Sequence, residues 1–174
     1  MIDLGGGFMN YHNITTDDMR NGEGLRTVLW VAGCLHRCPG CQNPITWNPD
    51  GGLYFDEAAE DEFFEKLSKD YISGATFSGG DPWYPTNRNT IVRLSQKIKN
   101  IFGPKKTIWM YTGCVWEEMP KRQRLDCIDV IVDGPFIKEL ADVKYPWAGS
   151  TNQRVIDVQK TLKNNMQIVL KETR

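Results

Sequence analysis

The sequence lacks any apolar run approaching the ~20 residues that cross a bilayer, so no membrane-spanning helix is expected. It also lacks an excess of charge: 21 Lys and Arg stand against 22 Asp and Glu, a net charge of −1. Non-specific nucleic-acid binding rests on clustered Lys and Arg, and this balance argues against it. No basic segment followed by a long apolar stretch opens the chain, so a secretory leader is not expected. Five cysteines in 174 residues are too few, and odd in number, for a secreted disulfide scaffold. No repeat or low-complexity tract is present. What remains is an ordinary globular composition, 40% hydrophobic and 25% charged, long enough for one core. Residues 1–9, beginning MIDLGGGF, read as a flexible Gly-rich extension, and 10–174 as a single domain.

The cysteines are unevenly placed. Cys34, Cys38 and Cys41 form a C-x3-C-x2-C run, whereas Cys114 and Cys127 are remote. A tight cluster in an unsecreted chain points to metal in a reducing cytoplasm. Thiolates suit zinc and iron–sulfur clusters alike. Either needs four ligands when closed, and His36, Cys114 or Cys127 could supply the fourth. On a four-iron cluster, three ligands leave one iron open to substrate. Taken singly, Cys114 and Cys127 read as small packed side chains, and His36 as a loop residue.

Strands and helices alternate along the chain. Thr27–Val31 reads as a buried strand ending at the cysteines. Asp56–Tyr71 reads as a helix capped by Asp56, with Phe63, Phe64 and Leu67 on one face. Ala75–Phe77 is a short strand, Thr86–Phe102 a second helix stopped by Gly103-Pro104, and Thr107–Tyr111 a strand. A short helix is expected at Trp116–Gln123. Strands are expected at Ile128–Val132, Val155–Val158 and Gln167–Leu170. The alternation predicts an α/β fold with mostly parallel strands. The length is short of the ~250 residues of a closed eight-unit barrel, so an open partial (β/α) barrel is expected.

Four segments follow strands directly: Cys34–Cys41, Ser78–Asp81, Thr112–Cys114 and Asp133–Gly134. In parallel α/β folds the C-terminal strand ends share one rim, where ligands bind. These segments should therefore converge. Glycines at Gly79 and Gly80 would let backbone approach a ligand, and Asp81 could accept hydrogen bonds from an ammonium group. Alone, that segment also reads as a strand-to-helix turn.

Together these motifs resemble the radical S-adenosylmethionine superfamily. NGEGLR (21–26), CLHRCPGCQN, SGGDP, YTG, DVIVDGPF and GSTNQRVIDV are similar to blocks of the glycyl-radical-enzyme activases, specifically the family that activates anaerobic ribonucleoside-triphosphate reductase. The resemblance implies that Cys34, Cys38 and Cys41 ligate three irons of a [4Fe–4S] cluster, with S-adenosylmethionine on the fourth. It implies reductive cleavage to a 5′-deoxyadenosyl radical, and a glycyl radical made on the large subunit of anaerobic ribonucleotide reductase. A one-electron donor such as reduced flavodoxin is implied as well. By similarity, Ser78, Gly79, Gly80 and Asp81 meet the methionine end of the cofactor. Gly40 and Gln42 flank Cys41, and Gly40 stands where many superfamily members carry an aromatic residue. Asp129, Asp133 and Asn152 lie in family-like segments that suit cofactor contact, partner docking or turn structure. Alternatives are an activase of another glycyl radical enzyme, of the formate-lyase type, and a non-catalytic zinc-binding module.

Overall fold

The computed structural model describes residues 8–172. Most of the Gly-rich extension, residues 1–7, lies outside the described residues. Met9 is buried in the core, and its carbonyl accepts a hydrogen bond from Phe55 N at 2.9 Å.

Seven strands form one open sheet: β1 (Asn10–Asp18), β2 (Arg26–Val31), β3 (Leu53–Tyr54), β4 (Gly74–Gly79), β5 (Thr107–Tyr111), β6 (Val130–Asp133) and β7 (Arg154–Asp157). Their order is β3-β1-β2-β4-β5-β6-β7. The central strands β2, β4, β5 and β6 pair in parallel. The flanking pairs β1–β2, β1–β3 and β6–β7 are antiparallel. The expectation of mostly parallel strands therefore holds for the centre, while half of the pairings are antiparallel. The pairing is that of an open sheet and does not close a barrel.

Among the described residues three α-helices accompany the sheet: α1 (Glu57–Leu67), α2 (Arg88–Phe102) and α3 (Val158–Lys163). Asp56 caps α1 by accepting from Ala59 N at 2.9 Å, satisfying a helix-end donor that would otherwise lack a partner. Gly103 ends α2 at φ +55°, where most side chains are strained. Alternation along the strands divides the core into two layers. Phe77, Ile108, Met110 and Ile131 pack with Phe63 and Leu67 of α1 and with Ile91, Leu94 and Ile98 of α2. On the opposite face Trp109, Val130, Val132 and Val155 are covered by Tyr111, Trp147 and Ala148. Burial on both faces explains the nearly continuous apolar reading of β2 and β6. Each fully buried large side chain contributes about 1.5–3 kcal/mol, an upper bound against an extended unfolded chain.

Arg26 is buried at the start of β2, at the end of the sheet opposite the cysteines. It donates to Glu23 O, Thr76 Oγ1, Ala75 O, Thr107 Oγ1 and Thr107 O, and lies over the Trp109 ring. Desolvation brings its pKa down to about 10. Five acceptors let the buried cation close this end of the sheet. Among the described residues no helix is long and apolar enough to cross a membrane.

Candidate metal and cofactor site

Because β2, β4, β5 and β6 run parallel, their C-terminal ends lie on one rim, and all four expected segments meet there. The cysteine loop leaves β2 at Val31. It is tied down at its start by Gly33 N to Thr46 O (2.8 Å) and Cys34 N to Trp47 O (3.1 Å), and turns tightly through Cys41 N to Cys38 O (3.0 Å). Gly40 takes φ +75°, and the stem of Lys138 lies against it: a Cβ there would sit 3.0 Å from Lys138 Cδ. Cys34, Cys38 and Cys41 are free thiols of intermediate exposure. Burial pushes the Cys34 thiol up, and backbone N–H groups of Arg37 and His36 at its sulfur pull the other way. Asn43 N donates to Cys41 Sγ at 3.4 Å. Three soft donors on one short loop, two receiving N–H···S contacts, fit an iron–sulfur cluster held by three cysteines. Gln42 is exposed beside Cys41.

The Ser78–Asp81 segment packs directly under this loop. Gly80 N donates to Val31 O at 2.8 Å and Asp81 N to Gly33 O at 2.7 Å. A Cβ at Gly80 would sit 2.6 Å from Gly33 O and 2.9 Å from Thr46 O. At Gly79, with φ +100°, a Cβ would sit 2.8 Å from both Val31 N and Val31 O. The two glycines thus let β4 and the cysteine loop come together.

Asp81 is the hub. Its side chain is only 4% exposed. Oδ1 accepts from Trp83 N and from Thr112 Oγ1, both at 2.8 Å. Oδ2 is 2.7 Å from His36 Nε2. Cys114 Sγ lies 3.8 Å from His36 Nε2 and 3.9 Å from Asp81 Oδ2. The hydrogen bond to Asp81, then the contact with Cys114, raises the His36 pKa from 6.5 to about 10. Gly113 gives the imidazole its room, since a Cβ there would sit 2.3 Å from His36 Cδ2. His36, read from the sequence as a loop residue, and Cys114, read as a packed thiol, both belong to this cluster. The C-x-H-x-C spacing of Cys34, His36 and Cys38 could have singled out His36; nothing local marks Cys114.

The fourth segment completes the rim. Gly134 N donates to Cys114 O at 2.9 Å, and Asp133 Oδ2 accepts from Trp116 N at 2.8 Å. Asp133 also pairs with Arg154, which reaches Glu117 as well. Asn152 donates to Pro135 O at 2.8 Å, fastening the 149–154 segment to the strand end. Asp129 and Cys127 are not brought to the rim. They lie at the other end of β6, where Asp129 holds Lys99 at 2.6 Å and accepts from Ile108 N at 2.7 Å.

An α/β sheet carrying a three-cysteine loop on its C-terminal rim defines an iron–sulfur domain, and residues 20–156 match the family described as "4Fe-4S single cluster domain". Relatives narrow this. The chain is 46% identical to the anaerobic ribonucleoside-triphosphate reductase-activating protein of Enterobacteria phage T4 over 147 residues, 84% of this chain and 93% of the relative. It is 42% identical to the protein of that name from Haemophilus influenzae, over 83% of this chain and 96% of the relative. The Escherichia coli K12 protein is also 42% identical, over 84% and 97%. The chain belongs to the family of anaerobic ribonucleoside-triphosphate reductase-activating proteins.

Proposed function

We propose that this protein is a radical S-adenosylmethionine enzyme that makes a glycyl radical on the large subunit of anaerobic ribonucleotide reductase. The observation that carries the reading is the three-cysteine loop set on the same rim as the Ser78–Asp81 segment, in a chain whose relatives bear the activating-protein name. Cys34, Cys38 and Cys41 would hold the [4Fe–4S] cluster, and a cluster held by three cysteines would leave one iron for S-adenosylmethionine. When bound, the cluster supplies the electron that cleaves S-adenosylmethionine reductively.

The chain's own residues fix the platform for that chemistry. Gly79 and Gly80 seat β4 against the cysteine loop, and Asp81 clamps that loop through His36 and the β5 loop through Thr112. Three of the lone-pair sites on Asp81 are already engaged, so its main work is positioning, and the Ser78–Gly80 segment would meet the methionine end. Gly40 and Gln42 border the remaining side. The Lys138 stem over Gly40 takes the place of a side chain at that position. The electron comes from a donor of the reduced-flavodoxin type in an anoxic cytoplasm, and an open sheet leaves a side path for a protein loop to reach the radical.

The test is anaerobic reconstitution with iron and sulfide, reduction, and addition of S-adenosylmethionine. Methionine and 5′-deoxyadenosine should form, and Cys34→Ala, Cys38→Ala and Cys41→Ala should each abolish them. About one zinc per chain with no cleavage would instead assign a zinc-binding module. Cleavage without a radical on the reductase would direct the activity to another glycyl radical enzyme.

A further inference from the structure

We propose that His36 Nε2, Asp81 Oδ2 and Cys114 Sγ form a second, mononuclear metal site for a zinc-like divalent ion, distinct from the three-cysteine site. The three atoms come from three different rim loops, after β2, β4 and β5, and lie 2.7, 3.8 and 3.9 Å apart. These separations put the point equidistant from all three at about 2.1 Å from each, the length of Zn–N and Zn–O bonds. A shift of less than about 1 Å from that point, out of the plane and away from sulfur, reaches the Zn–S length of about 2.3 Å while keeping the other two bonds. An ion above the plane of three ligands has an open fourth position, the arrangement of zinc sites that take water or substrate.

The donors and their supports fit such an ion. One imidazole, one carboxylate and one thiolate make a borderline-soft set that suits zinc better than calcium or magnesium. Asp81 is held from behind by Thr112 Oγ1 and Trp83 N on its other oxygen, and Gly113 packs against the His36 ring. Such outer contacts orient metal ligands before the ion arrives. On binding, the ion replaces the proton shared by His36 and Asp81 and the thiol proton of Cys114. It would then fasten the Cys34–Cys41 loop to the β4 and β5 loops, so its occupancy would control how freely the cysteine loop moves.

The test uses protein carrying its iron–sulfur cluster, so that Cys34, Cys38 and Cys41 are engaged. It is titrated anaerobically with Zn²⁺ against a chelator, and X-ray absorption at the zinc edge counts the ligands. One zinc with a single sulfur and nitrogen or oxygen neighbours is expected. Cys114→Ala should remove the sulfur shell and weaken binding at least about tenfold, by comparison with the 10–100-fold effects of outer-shell changes. The smaller change Cys114→Ser should do the same in a chain whose iron content shows it folded, and Cys127→Ala should change neither property. A zinc shell of three sulfurs, zinc binding unaltered in Cys114→Ala, or no zinc uptake by iron-loaded protein would overturn the assignment. Iron content on the same samples tests the three-cysteine site separately.

Discussion

Replacing Asp81 by Ala tests whether one carboxylate holds the rim together. The substitution removes the acceptor for two donors, Trp83 N and Thr112 Oγ1, each at 2.8 Å, in residues that are themselves buried. A hydrogen bond to a charged partner is worth about 1.5–3 kcal/mol, so losing the pair should destabilise the fold by about 3–6 kcal/mol. His36 adds less, because its side chain is 26% exposed and water can take over its solvation; about 1 kcal/mol is an upper figure for that pair. Against the ~5–15 kcal/mol of a typical domain this is a large loss. Asp81→Asn keeps Oδ1 as an acceptor for both buried donors but loses the charge on it and the His36 contact, so it should lose about 1–2 kcal/mol. Anaerobic urea unfolding of the metal-free protein measures both, and an unchanged slope would show that stability alone has moved. Asp81→Ala within about 1 kcal/mol of wild type, or Asn as damaging as Ala, would refute the clamp.

Gly80→Ala places a Cβ 2.6 Å from a backbone carbonyl, at Gly33; overpacking of this kind should lose about 1–3 kcal/mol and lower iron retention, read by unfolding and iron assay. Arg26→Ala strips a buried cation from five acceptors and should destabilise by at least about 3 kcal/mol in the same unfolding assay, with cluster ligation spared because the residue lies at the opposite end of the sheet. The Glu117 carboxylate, hydrogen-bonded by Arg154, has its pKa lowered to about 2. A lowered folded pKa gives stability that is complete above the ordinary carboxylate range and is lost as pH falls through about 4.5 towards 2. Arg154→Ala should therefore flatten that acid limb of the stability profile.

The apolar strands and the long helices were legible because their side chains follow the periods of buried elements. Thr107–Tyr111 is a strand with the bounds that its composition predicts, and α2 ends where Gly103 stops it. β1 was illegible: Asn10–Asp18 is mostly polar, buries only Ile14, and is a strand because β2 and β3 pair with it on both sides. Trp116–Gln123 forms two 3₁₀ turns instead of a helix, interrupted at Pro120 and by Lys121 at φ +55°. Gln167–Leu170, expected as a strand, makes only a single bridge, Leu170 to Ile156. At the site, the cysteine loop and Gly-Gly-Asp were legible because their spacing is local. The grip of Asp81 on His36 and Thr112 was not, because it joins residues 45 and 31 positions apart through side-chain directions that no local pattern encodes.

Electron paramagnetic resonance of the large reductase subunit tests the proposed activity at its product. The subunit would be incubated without oxygen with this protein, a reductant and S-adenosylmethionine. A glycyl-radical doublet is expected with the wild-type chain and none with Cys38→Ala. No doublet from an iron-loaded wild-type chain, or an equal doublet from Cys38→Ala, would contradict it.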